Sequence, residues 1–124
     1  MNRRILMIED NEQNRYLASF LLEACGWKML QAEDGPSGLE LARTVDPALI
    51  LLDIQLPGMD GYAVARALRA EPRSASVPIV AVTSYAMAGD RERCLAAGCD
   101  GYIEKPIDPQ TFVAQVERFI KEVP

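Results

Sequence analysis

The sequence predicts an α/β domain: a parallel sheet of five strands with helices on both faces. Three observations lead there. Short apolar runs of strand length recur along the chain, amphipathic helical patterns separate them, and the connections are only a few residues long. The 124 residues make one domain, and 49% hydrophobic with 25% charged residues is the composition of a soluble globular fold with one sizeable core.

Residues 5–8 (ILMI) form an unbroken apolar run ending in Glu9 and Asp10, as a strand buried on both faces would. Leu17, Phe20, Leu21 and Ala24 follow at helical spacing and predict a helix with that stripe on the core. Residues 29–32 are a weaker strand, accepted because it recurs at the right interval, and residues 35–44 read as the next helix. Residues 48–53 (ALILLD) are a clear strand closing on Asp53. The Asp60-Gly61 turn then opens a helix marked by Ala63, Val64, Ala67 and Leu68. Residues 78–83 (PIVAVT) form the fourth strand. A weakly apolar helix rich in Arg, Glu and Asp follows over 86–97, then a short strand over 101–103. Phe112, Val113, Val116, Phe119 and Ile120 make the last apolar helical stripe, while Gly26, Gly98 and the Asp46-Pro47 step punctuate helix ends.

Composition excludes several functions. With 13 basic against 18 acidic residues, net -5, there is no basic field to hold a nucleic-acid backbone. The absence of histidine removes Ser-His-Asp and Cys-His triads, His-ligated zinc and any role as phosphohistidine donor. Three cysteines without a CxxC pair, Cys25, Cys94 and Cys99, fit neither a disulfide framework nor a thiolate zinc site. No signal-peptide run and no stretch of eighteen apolar residues occurs, so membrane insertion is not expected and a cytoplasmic location is.

Function in an open parallel sheet gathers beyond the carboxyl ends of the strands, where strand order reverses. Glu9 and Asp10 end the first strand, Asp53 the third and Thr83 the fourth, with Lys105 just past the fifth. Singly, each acid reads as a helix cap or a solvated loop residue. Together they call for a cation, because two carboxylates about 4 Å apart repel by roughly 4 kcal/mol at an effective dielectric near 20. With only oxygen ligands on offer, Mg2+ suits such an open site. Asp53 is then the candidate nucleophile toward phosphorus, Lys105 the group neutralising developing charge, and Thr83 a hydrogen-bond donor to the new group. A cis Lys105-Pro106 bond would aim the amine into the site; a trans bond with the ammonium in solvent would refute that.

These residues resemble the receiver domains of two-component response regulators over essentially the full length. The carrying motifs are residues 8–11 (IEDN), 51–61 (LLDIQLPGMDG), 80–84 (VAVTS) and 102–106 (YIEKP), in the family's order and spacing. The stand-alone receivers of the DivK type and those of hybrid kinases look most similar. The resemblance implies a flavodoxin-like sheet of order 2-1-3-4-5. It implies Asp53 as phosphoryl acceptor from a histidine kinase or a histidine phosphotransfer protein. Mg2+ would be held by Asp10, Asp53 and the Gln55 carbonyl, with Glu9, in place of a common aspartate, acting through water. Thr83 and Tyr102 would form the switch, and a downstream target protein would bind on the face between Ala86 and Ile120. Gln55 and Tyr85 stand where relatives tune hydrolysis, and Asn11, Asn14, Arg15 and Ala18 where they dock the donor.

A haloacid dehalogenase-type phosphatase would need a second aspartate two residues after Asp53. Gln55 stands there and cannot act as general acid. A flavodoxin-like cofactor binder would need a hydroxyl- and glycine-rich first loop, and this one is acidic. The expectation is therefore a single-domain response regulator over residues 1–124 without an output domain, a switch rather than an enzyme; the alternative is the receiver of a hybrid-kinase phosphorelay.

Overall fold

The computed structural model describes residues 2–84 and 89–121. Each expected element forms, with ends shifted by about a residue except at the start of the fourth helix: β1 (Arg4–Ile8), α1 (Glu12–Ala24), β2 (Lys28–Ala32), α2 (Gly35–Val45), β3 (Leu49–Asp53), α3 (Gly61–Ala70), β4 (Ile79–Thr83), α4 (Asp90–Ala96), β5 (Gly101–Glu104) and α5 (Phe112–Lys121). The strands are parallel in the order β2-β1-β3-β4-β5, the flavodoxin-like arrangement expected.

Burial follows from the strand period of two. Ile5, Met7, Leu49, Leu51, Val80 and Val82 point to one face and pack with Leu22 of α1 and Phe112 and Val116 of α5. Leu6, Ile8, Ile50, Leu52, Ile79 and Ala81 point to the other, against Ala42 of α2, Val64 and Leu68 of α3 and Cys94 of α4. Every residue of β3 and β4 is buried, which is why those strands read as unbroken apolar runs. The chain leaves β1 for β2 on one side and β3 on the other, so the crevice of the sheet opens beyond Ile8 and Asp53.

Two expectations are corrected. The α1 stripe is rotated: Ala18, Ser19 and Leu22 are the buried residues, Leu17 and Leu21 are half-buried, and Phe20 and Ala24 face out. Apolar residues cover most of this helix, and small Ala18 beside Leu22 lets it close on the sheet where bulky Phe20 would hold it off. The fourth helix runs only from Asp90 to Ala96 behind Gly89, which caps it with a left-handed backbone and no side-chain hydrogen bond; Ala86, Met87 and Ala88, where it was expected to begin, lie outside the described residues.

At the far end of the sheet Arg69 acts as a clamp. Its Nε donates to the Gly98 carbonyl at 2.8 Å, Nη1 to the Val77 carbonyl at 2.6 Å, and Nη2 pairs with Asp100 at 2.7 Å. Gly98 has φ 111°, and a Cβ there would stand 2.6 Å from Arg69 Cγ. Arg69→Ala is expected to lower stability by about 2–4 kcal/mol, since it strips partners from several half-buried groups at once. Urea unfolding followed by circular dichroism checks it, and a loss under about 0.5 kcal/mol, the size of an ordinary surface change, would contradict it.

Candidate functional site

Parallel register sets the site. Ile8 pairs with Leu52 and Asp53 with Val82, so the residues ending β1 and β3 meet at one rim. Glu9 continues the ladder, its N–H donating to the Ala32 carbonyl at 3.0 Å, and its side chain is fully buried. Asp53 is 2% exposed and Thr83, closing β4, is equally buried. The Thr83 carbonyl accepts from the Lys105 N–H at 2.8 Å. The Lys105-Pro106 bond is cis, as expected. Lys105 Nζ lies 2.9 Å from Glu9 Oε1 and 3.3 Å from Asp53 Oδ1. Asp10 is exposed and completes a group in which one carboxylate oxygen each from Glu9, Asp10 and Asp53 fall within 4.8 Å of one another.

The loops are tied to this cluster. Asp53 Oδ1 accepts from the Gln55 N–H at 2.9 Å, and Gln55 Oε1 accepts from the Ser84 N–H at 3.3 Å, linking the loops after β3 and β4. Arg15 Nη1 donates to the Glu9 carbonyl at 2.8 Å. Gly61 brings α3 against β3: a Cβ there would sit 2.6 Å from the Asp53 carbonyl oxygen and 2.4 Å from Ile54 Cα, both backbone. Only glycine permits that approach.

Burial pushes Glu9 up to about 7, helped by the adjacent Asp53 and opposed by Lys105. Burial alone would raise Asp53 too, yet hydrogen bonds from Glu9 and the Gln55 amide, with the Lys105 charge, hold it below the usual carboxylate value. Lys105 is raised: its burial opposes the charge, and Glu9 and Asp53 outweigh it. Near pH 7 Glu9 is thus poised between its two forms beside an ionised Asp53. Glu9 Oε1 faces the ammonium but accepts no well-aligned hydrogen bond, so a buried oxygen is left under-coordinated.

Glu9, Asp10, Asp53, Thr83, Lys105 and Gln55 therefore converge as expected. Tyr102 sits apart on β5, half-buried against the core cluster beneath α4. Tyr85 lies outside the described residues. Of the residues expected to dock a donor, Asn11 caps α1 by accepting from the Asn14 N–H, Arg15 is held by Glu9 and Glu33, and Ala18 is in the core, unable to present a surface.

The family model for the response regulator receiver domain matches residues 5–117. The chain belongs to this family. It is 38% identical over 120 residues to the polar-differentiation response regulator DivK of Brucella ovis, covering 97% of this chain and 98% of that one. The receiver domain of a sensor histidine kinase of Pseudomonas aeruginosa, whose structure carries a magnesium ion in its active-site cleft, is 34% identical with a TM-score of 0.89, covering 98% and 100% of the two chains. The chemotaxis protein CheY4 of Vibrio cholerae, 24% identical with a TM-score of 0.91 over 96% of this chain and 99% of that one, shares the fold.

As a receiver, the chain is a signalling domain of two-component systems. Among the described residues no helix is long and apolar enough to cross a membrane. Sequence reasoning missed the side-chain bridge from Gln55 to Ser84 and the Arg15 contact to the Glu9 carbonyl. Both depend on loop geometry that carries no periodic signal.

Proposed function

We propose that this chain is a response regulator phosphorylated on Asp53 by a histidine kinase or a histidine phosphotransfer protein. One observation carries the reading: a buried, ionised Asp53 at the rim of the central strand with the Lys105 ammonium 3.3 Å away. In the step, an Asp53 oxygen forms a bond to phosphorus as the bond from phosphorus to the donor imidazole nitrogen breaks; that nitrogen keeps the bonding pair, and the ring leaves neutral with the proton already on its other nitrogen. Lys105 offsets charge on the phosphoryl oxygens, and the Thr83 hydroxyl donates to one of them.

The donor set fits magnesium: three carboxylates, oxygen ligands only, with one buried oxygen under-coordinated. Asp10, Asp53 and the Gln55 carbonyl would hold the ion, with Glu9 acting through water. When bound it supplies positive charge that a phosphoryl group and crowded carboxylates need. The magnesium in the Pseudomonas receiver's cleft supports the assignment.

Thr83 turning to the phosphoryl group and Tyr102 turning inward would bias a two-state element, changing the α4, β5 and α5 face. A groove of about 700 Å³ on that face, walled by Leu95, Tyr102, Glu104, Arg118 and Phe119, is the surface offered to a downstream protein. Curated relatives that are response regulators, matched over 98% of their length, favour this over a hybrid-kinase receiver. The test is transfer from a radiolabelled phosphohistidine domain. Label should reach the wild type and fail to reach Asp53→Asn; label on the variant would sink the assignment.

A further inference from the structure

Helix α1 turns its bulkiest apolar side chains to solvent. Tyr16 is 70% and Phe20 59% exposed, and their rings stack with centroids 6.2 Å apart. They wall a groove of about 320 Å³ between α1 and the edge strand β2, completed by Ser19, Gln31, Glu12 and Glu23. Gln31 Nε2 donates to Ser19 Oγ at 2.8 Å across the floor of the groove. Single exposed aromatics are ordinary; a stacked pair over a groove is a contiguous patch of the kind that marks an interface. Leu17 and Leu21 pack into the cluster that holds α5, so the groove opens on the β2 flank of α1, away from Lys105, Tyr102 and α4.

Charge names the occupant. Among the described residues Glu12 and Glu23 have no ion pair, while Arg15, the one cation lining the groove, is 12% exposed and bound to Glu9 and Glu33. A second copy would set Glu12 and Glu23 against the same acids across a two-fold axis, which disfavours self-association. We propose that the groove docks a short amphipathic helix of another protein, its apolar stripe on Tyr16 and Phe20 and its Lys or Arg residues on Glu12 and Glu23. This docking is separate from the chemistry at Asp53. Two aromatics of ~150–250 Å² each supply roughly 300–500 Å², short of the roughly 800 Å² per partner of a stable complex, so the contact is transient.

The test titrates the isotope-labelled full chain with a short helical peptide carrying a leucine stripe flanked by lysines, and with the same peptide bearing glutamates instead. Amide shifts should centre on Tyr16, Ser19, Phe20 and Gln31 for the basic peptide alone. Tyr16→Ala with Phe20→Ala should weaken binding at least about tenfold. Glu12→Gln with Glu23→Gln, also at exposed positions, should weaken it several-fold, and Asp53→Asn should leave it unchanged. Equal binding of the acidic peptide, no binding of either, shifts centred on α4, β5 and α5, or a dimer that Phe20→Ala dissolves would each overturn the proposal.

Discussion

Replacing Lys105 by alanine is expected to cost the metal-free protein about 3 kcal/mol or more near pH 8, and clearly less near pH 5.5. The ammonium stands between a fully buried Glu9 and an Asp53 that is 2% exposed. Without it, two carboxylates face each other with no balancing charge, and breaking a buried pair from one side leaves the desolvation of the other uncompensated. Acid relieves this, because Glu9 titrates at about 7 even with Lys105 beside it and takes up a proton still more readily once the lysine is gone. Urea unfolding in chelator at both pH values measures the difference. An equal loss at the two would show that the ammonium does not balance an ionised Glu9.

Glu9→Gln should act in the opposite direction on stability. A carboxyl whose folded value of about 7 exceeds its ordinary 4.5 favours the folded state while protonated. That contribution is complete below about 4.5 and is lost as pH rises through about 7, so the metal-free wild type weakens across this window. Asp53, held below its ordinary value, acts at lower pH, where its contribution is lost as pH falls. Glutamine mimics the protonated form at every pH, so the variant should be more stable by about 3 kcal/mol near pH 8 and nearly equal to wild type near pH 4.5. Magnesium should narrow the gap, since a cation favours the ionised carboxylate. The check is thermal unfolding against pH in chelator, then with added magnesium; a variant less stable than wild type near pH 8 in chelator would contradict the burial of an ionisable Glu9.

The strands at the centre of the sheet were legible because burial on both faces leaves only apolar residues: the runs ending at Ile8, Asp53 and Thr83 name their own carboxyl ends, and topology then brings Glu9, Asp53 and Thr83 together. Lys105 was legible as the next charged residue beyond β5. The face of α1 was not, since Tyr16, Leu17, Ala18, Phe20, Leu21 and Leu22 offer more than one apolar stripe, and packing against Leu22 decides which is buried. The left-handed Gly89 that opens α4 at Asp90 was not legible either, since the surrounding residues carry ordinary helical propensity. The unequal charge states of Glu9 and Asp53 were equally invisible, because they arise from burial depth and from single hydrogen bonds such as that of the Gln55 amide.

Acceptance of a phosphoryl group by Asp53 is the central claim, and intact mass after incubation with acetyl phosphate tests it most directly, with and without magnesium, on wild type and Asp53→Asn. A gain of one phosphoryl on the wild type that requires magnesium and vanishes in the variant is the expected result. An equal gain on Asp53→Asn, or a gain indifferent to magnesium, would contradict it.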